Sequence, residues 1–221
     1  MGVIVAVDGP AGSGKSSVSR AAARRLGYGF LDTGAAYRAL AWAVLDRGED
    51  PDDTAAVERV LGEIDIETAL DPDERWVRVS GAEVTDDIRA PRVTAAVSGI
   101  ARVQAVRQRL NEGFRAVLAA AEPGVVAEGR DITTVVAPDA DVRVLLTADP
   151  EVRAARRARE LPGERRQDVA RAIAERDAKD SRVVDFLEAA EGVTTLDSTD
   201  LDFDGTVDAL VGLVREGATA R

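Results

Sequence analysis

The chain contains no cysteine and no histidine. Without a thiol there is no disulfide, no thiolate nucleophile and no cysteine-held zinc or iron–sulfur cluster. Without imidazole there is no Ser-His-Asp triad and no histidine-ligated metal. Chemistry is left to carboxylates, Arg, Lys, hydroxyls, backbone amides and oxygen-bound hard cations such as Mg²⁺. Long apolar runs are missing too. The longest charge-free stretch is nine residues, 93–101, against the roughly 20 that a membrane-spanning helix needs. The N-terminal run 1–7 is short, has no basic head and meets Asp8 at once, which is not the pattern of a signal peptide. The expectation is a cytoplasmic protein with no membrane partner.

Lysine and asparagine are scarce: Lys15 and Lys179 are the two lysines among 29 basic residues, and Asn111 is the single asparagine. A GTPase reads its base with an Asn-Lys-x-Asp motif, which is therefore excluded. The net charge of −11 argues against a nucleic-acid binder. Most of it comes from residues 46–74, where twelve acidic residues face Arg47 and Arg59, a solubilising surface. Residues 153–182 hold ten basic residues against six acidic ones. Such a segment suits a small anionic ligand, or else a solvated helical face laced with salt bridges.

At 221 residues the chain is long enough for one full hydrophobic core. Residues 3–7 form a continuous β-branched run, as in a strand buried on both faces of a parallel sheet. Further strands are predicted at 28–31, 125–127, 142–146 and 193–196. Helices are predicted at 16–26, 35–47, 55–64, 91–121 and 203–216, with helical segments after the later strands. Between them, 64–68, 76–80 and 83–84 alternate with period two, which predicts a small inserted antiparallel sheet. Strands alternating with helices imply an α/β protein with a doubly wound parallel sheet of five strands.

Gly9-Pro10-Ala11-Gly12-Ser13-Gly14-Lys15-Ser16 matches the phosphate-loop pattern G-x-x-x-x-G-K-[ST], after a buried strand and opening a helix. The glycines let backbone N–H groups converge on phosphate oxygens, and the helix N-terminus adds partial positive charge. Lys15 is placed to reach the β- and γ-phosphates and Ser16 to ligate Mg²⁺, with Ser17 alongside. A lysine here is informative in a chain that otherwise uses arginine. The loop makes ATP the expected donor and Mg²⁺ the expected cofactor.

A small kinase needs a second anion site, and three segments offer one. Asp32-Thr33-Gly34-Ala35-Ala36-Tyr37-Arg38 starts a helix where Thr33 and Arg38 can hold an acceptor phosphate. The plainer alternative is that Asp32 or Thr33 caps the helix. Glu128-Gly129-Arg130-Asp131 follows a buried strand, at the sheet edge where α/β proteins bind ligands, or forms a strand-end salt-bridge cluster. Arg153, Arg156, Arg157 and Arg159, then Leu161-Pro162-Gly163, then Arg165, Arg166, Arg176, Asp180 and Arg182 read as a mobile lid bearing cations, or as solvated surface.

The ordered set D-G-P-x-G-S-G-K-S, L-D-T-G-A-x-Y-R, I-R, E-G-R-D-I and R-D-x-x-D-S resembles the bacterial cytidylate kinase family, over essentially the whole chain. The resemblance implies a P-loop NTPase core (1–60, 99–156 and 169–221), an inserted nucleoside-monophosphate-binding sub-domain (61–98) and a short helical lid (157–168). It also implies roles. Thr33, Arg38 and Arg130 resemble residues holding the acceptor α-phosphate; Ser98, Arg107 and Asp131 resemble those reading the cytosine edge. Arg176 and Asp180 resemble those at the sugar hydroxyls and phosphates, Arg182 one approaching the phosphates, and Arg153 and Arg157 lid arginines. Lys15, Arg130, Arg153 and Arg157 form the expected catalytic set.

Two departures stand out. Asp180-Ser181 is followed at once by Arg182, one residue short of the family pattern, and the next stretch lacks the usual Pro-Leu. Thr133 replaces a glycine and is expected to narrow the space beside Asp131. The reaction expected is Mg²⁺-dependent transfer of the ATP γ-phosphoryl group to CMP or dCMP, by a monomer. A P-loop kinase for another small phosphate acceptor and a non-catalytic ATP-binding module are the alternatives.

Overall fold

The computed structural model describes residues 2–160, 163, 165–184 and 186–219. In chain order the elements are β1 (Val3–Asp8), α1 (Lys15–Leu26), β2 (Gly29–Asp32), α2 (Thr33–Asp46) and α3 (Thr54–Glu63). Then come β3 (Ile66–Thr68), β4 (Val77–Val79), β5 (Ala82–Glu83), a 3₁₀ turn Asp87–Arg89, α4 (Pro91–Arg102) and α5 (Gln104–Ala120). The chain continues through β6 (Gly124–Gly129), a π-helical turn Ile132–Val136, β7 (Val142–Thr147), α6 (Pro150–Glu160), α7 (Arg166–Asp180), β8 (Thr194–Asp197) and α8 (Phe203–Thr219).

Five parallel strands form one sheet in the order β2-β6-β1-β7-β8, and β3-β4-β5 form a separate antiparallel sheet. The all-apolar run of β1 is explained by its central place between β6 and β7, where Val5, Ala6 and Val7 are fully buried. Register decides where the chemistry can gather. Asp8 lies opposite Gly129, and Asp32 lies opposite Glu128. The loops leaving β1, β2 and β6 therefore open side by side at one edge of the sheet. Sheet order reverses there, with β6 and β7 on either side of β1, the place where α/β sheets accept ligands.

One apolar core fills the face covered by α2, α4 and α5, and another the face covered by α1 and α8. A small third cluster of Ala11, Ala154, Val169 and Ile173 joins the phosphate loop to α6 and α7.

Each strand of the parallel sheet falls within two residues of its expected span. The single helix expected over 91–121 is two, broken at Val103, whose backbone is extended (φ −74, ψ 116). Val103 is 7% exposed, so the turn between α4 and α5 is anchored by its burial. The expected insertion 61–98 contains β3, β4 and β5, but its limits fall inside α3 and α4, and both helices pack on α2. The expected lid 157–168 takes in the end of α6 and the start of α7; Leu161, Pro162 and Glu164 lie outside the described residues.

Leu40 of α2 is fully buried in the larger core. Leu40→Ala should destabilise the fold by about 2–5 kcal/mol, read as a lower denaturation midpoint.

Candidate active site

The N-terminus of α1 is built to be open. Gly14 precedes it in a left-handed conformation (φ 86), and no side chain caps the first turn. Its leading N–H groups therefore remain available to an anion. Ser16 Oγ donates to Glu128 Oε1 at 2.6 Å, and Lys15 Nζ stands 4.0 Å from Glu128 Oε2. Glu128 is 3% exposed at the end of β6. Burial, then the neighbouring Asp32 carboxylate, push its carboxyl above the ordinary range, while Lys15 and Ser16 pull it back. Burial and Arg130 draw the Lys15 ammonium below its ordinary range, with Glu128 opposing them.

Across the cleft, Asp32 accepts from Ala35 N at 2.9 Å and so caps α2. The capping alternative holds for Asp32. Thr33 differs from its expected role: its hydroxyl donates to Glu128 O at 2.8 Å, and the residue is 4% exposed. The reason is adjacency at the strand ends, where the Glu128 carbonyl needs a donor. What Thr33 offers the cleft is its place at the start of α2 rather than its hydroxyl proton.

Arg38 points inward, donating to Thr94 Oγ1 at 2.8 Å. Burial first, then Arg176, Arg89 and Arg157, lower its pKa to about 10, with Asp32 opposing them. Arg176 is likewise pulled down by burial and by Arg130. Cations held together under partial desolvation repel one another, and a phosphate dianion among them would relieve that repulsion.

Arg130 lies between the two halves. Nη1 donates to Gly9 O, Nη2 sits 3.1 Å from Asp180 Oδ2, and the guanidinium carbon lies 4.5 Å from the centre of the Phe186 ring. Arg107 Nη2 donates to Asp131 Oδ2 at 2.9 Å, and Ser98 Oγ donates to Asp180 Oδ1 at 2.8 Å. The Asp131 carboxyl is raised by burial, with Arg107 opposing. These groups are pre-paired, with donor and acceptor edges set against each other.

One cleft of about 860 Å³ is lined by Ala11, Gly12, Gly14, Lys15, Ser16 and Ser17 together with Thr33, Arg38, Ser98, Arg107, Arg130, Asp131, Arg157, Arg176 and Asp180. Gly9, Pro10 and Ser13 form the loop but do not line the cleft. Two further residues depart from expectation. Arg153 is turned behind the phosphate loop, bonded to Ala11 O and Asp177, because Asp177 and the loop carbonyl satisfy it there. Arg182 is exposed and outside the cleft. The shortened segment after Asp180 closes into a tight turn through Ser181 N to Asp177 O and Val183 N to Asp180 O, which leaves that side chain in solvent. Thr133 does not crowd Asp131 either. Its N–H and hydroxyl both bond Asp8 Oδ2, at 2.8 and 2.6 Å, which folds it under the loop.

Glu128, Arg89, Tyr37, Arg20 and Phe203 also line the cleft without having been given a role from sequence. Glu128 had a usable signal: an acid at a strand end, in a motif already noticed. Arg89 was visible only as half of an Ile-Arg pair. Tyr37 stands in the motif that carries Thr33 and Arg38. Arg20 and Phe203 carry no local signal, since only the packing of α1 and α8 brings them to the cleft.

A phosphate loop at the centre of a parallel sheet, faced by converging arginines across one cleft, is the layout of a P-loop phosphotransferase. The family model described as cytidylate kinase matches residues 5–216. A cytidylate kinase of Streptomyces avermitilis is 43% identical over 220 residues, covering 99% of this chain and 95% of its own. One of Cutibacterium acnes is 48% identical over 219 residues, covering 96% of each chain. The crystal structure of an uncharacterized protein from Eubacterium ventriosum shares the fold, with a TM-score of 0.53 at 12% identity, covering 96% of this chain and 98% of that one. The chain belongs to the cytidylate kinase family.

Gly129 has no space for a side chain: a Cβ there would lie 2.5 Å from Thr33 Oγ1 and 2.8 Å from Ile132 Cδ1. Gly129→Ala should cost about 1–3 kcal/mol through overpacking, measured by chemical denaturation.

Proposed function

We propose that the protein transfers the γ-phosphoryl group of Mg·ATP to CMP or dCMP, giving ADP and CDP or dCDP. The observation that carries this reading is that Lys15 and Ser16 of the phosphate loop line the same cleft as Arg38, Arg107 and Asp131. A donor with its phosphates on the N-terminus of α1 has its γ-phosphorus directed towards Arg130, which also faces the acceptor residues.

In the reaction an oxygen of the acceptor phosphate attacks the γ-phosphorus, and the bond to the β-phosphate oxygen breaks. The acceptor oxygen is already anionic near neutral pH, so no general base is needed. A site without histidine or cysteine suffices. Lys15, Arg130 and Arg157 stabilise charge on the transferring group, while Arg38 and Arg176 hold the acceptor phosphate. Ser98, Arg107 and Asp131 present donors and acceptors matched to a base with one amino group and two acceptors.

Ser16, Glu128 and the adjacent Asp32 offer hard oxygen donors of the kind Mg²⁺ takes. Among the described residues no group of three or more acidic side chains forms a metal cage. These residues therefore fit an ion bound jointly with substrate phosphates, which would supply positive charge to the phosphates. The reading places the enzyme in the cytoplasm as a monomer. No helix among the described residues is long and apolar enough to cross a membrane.

The test is an ADP-release assay with Mg·ATP against CMP, dCMP, UMP, AMP, GMP and dTMP, with a no-acceptor control. Strongest turnover with CMP or dCMP is expected; preference for another acceptor would replace the substrate assignment. Lys15→Ala should lower turnover by about 10³-fold or more, checked in the same assay. Asp131→Ala should narrow the difference in kcat/KM between CMP and the other monophosphates, because Arg107 loses the partner that orients it.

A further inference from the structure

The phosphate loop is held from behind as well as open in front. Asp177 of α7 is 6% exposed, and its Oδ1 accepts from Ala11 N at 2.9 Å. Its Oδ2 accepts from Arg153 Nη1 at 2.6 Å, and that same nitrogen donates to Ala11 O at 2.9 Å. Both peptide groups of Ala11 are thus closed into a ring by one carboxylate and one guanidinium. The Ala11 methyl completes the small apolar cluster with Ala154 of α6 and with Val169 and Ile173 of α7. The next residue is equally confined, since a Cβ on Gly12 would lie 2.9 Å from Arg153 O. Asp177 also stands 3.6 Å from Arg130, which donates to Gly9 O.

None of these contacts needs to touch a nucleotide. They nonetheless set where the loop's N–H groups point, and a misplacement of about 1 Å in such a cradle can cost on the order of 10²-fold in rate. Charge matters here. Hydrogen bonds between ionised partners are roughly twice as strong as neutral ones, and Asp177 sits between two guanidiniums in a buried place. The helices it ties down are also those that carry Arg157 and Arg176 into the cleft.

We propose that Asp177 is a positioning residue for the phosphate donor: with Arg153 it latches Ala11 to α6 and α7. The loop and the cations of those helices are thereby set as one unit. The inference rests on the loop being the ATP site, and goes beyond it by giving Asp177 and Arg153 a shared task away from the reacting atoms.

Two variants and a double variant test it. Asp177→Asn keeps the shape and one acceptor for Ala11 N but removes the charge opposite Arg153. Asp177→Ala removes the ring. Mg·ATP binding is measured by calorimetry without acceptor, CMP binding without donor, and kcat and KM for each substrate separately. Asp177→Asn is expected to weaken Mg·ATP binding about tenfold, and Asp177→Ala to lower kcat/KM for ATP about 100-fold. CMP binding should fall by less than Mg·ATP binding in both variants, because Arg38, Ser98, Arg107 and Asp131 lie on elements the ring does not tie down. Arg153→Ala combined with Asp177→Ala should be no worse than the poorer single variant, because both break one ring.

Asp177→Asn within twofold of the parent in Mg·ATP binding would overturn the proposal. So would single effects that multiply, or equal losses for both nucleotides that track a lowered Tm. Should Asp177→Ala not fold, Asp177→Asn decides alone. A parent enzyme that binds Mg·ATP but does not phosphorylate CMP would defeat the substrate assignment and leave the donor-binding measurement intact.

Discussion

The site depends on keeping one carboxylate buried at the end of a central strand. Glu128 is 3% exposed, and burial raises its carboxyl above the ordinary range. Such a group is tolerable only with partners, since an uncompensated buried charge is costly. Ser16 and Lys15 of the phosphate loop supply them. The parallel register of β1 against β6, and of β6 against β2, is what places those partners and Asp32 within reach. Function gains from the same strain. A site that lowers the comfort of its own ions has more to gain from a phosphate or a divalent cation.

The rest of the cleft follows a similar economy of charge. Arg38 and Arg176 are held beside other guanidiniums, and burial together with that proximity draws the pKa of each down. The chain is acidic overall, yet its surplus of Asp and Glu lies chiefly in 46–74, outside the cleft, where some of it forms exposed pairs such as Arg47–Glu63 and Arg59–Glu49. Exposed pairs of that kind contribute little to stability. Each acid lining the cleft has a partner: Asp131 is engaged by Arg107, Asp180 by Arg130, Glu128 by Ser16 and Lys15, and Asp32 by the Ala35 N–H. Helix α7 joins the two ends of this arrangement. Asp177 and Asp180, three residues apart and so on one face, reach the phosphate loop and the acceptor side respectively.

Much of this was legible in the chain. The run Val3-Ile4-Val5-Ala6-Val7 and the loop after it need only local geometry, so strand, turn and helix were readable together. The side chains that face the loop across the cleft were readable as motifs, because Arg38, Arg130 and Asp131 follow strand ends closely. Roles that depend on a side chain's direction were less so. Arg153 and Arg157 are one helical turn apart, yet Arg157 lines the cleft and Arg153 lies behind the loop. The spacing of four shows a shared helix face and cannot say which neighbour claims each guanidinium. Thr133 was expected to crowd Asp131, but the unsatisfied oxygens of Asp8 draw it the other way. Arg182 was expected near phosphate, and the tight turn after α7 leaves it exposed.

By itself the sequence determined the alternation of buried strands with helices, the phosphate loop with its lone cleft lysine, and an anion-binding chemistry built without imidazole or thiol. Those properties depend on periodicity, backbone permissiveness and the side-chain inventory, all of which are local. Only the tertiary structure decided which of the many arginines meet in one cleft, that Thr33 spends its hydroxyl on a strand carbonyl, and that Asp177 holds Ala11 across 166 positions of chain. A hydrogen bond or ion pair between distant segments is fixed by sheet order, strand register and helix packing, and none of these is a property of any short stretch of residues.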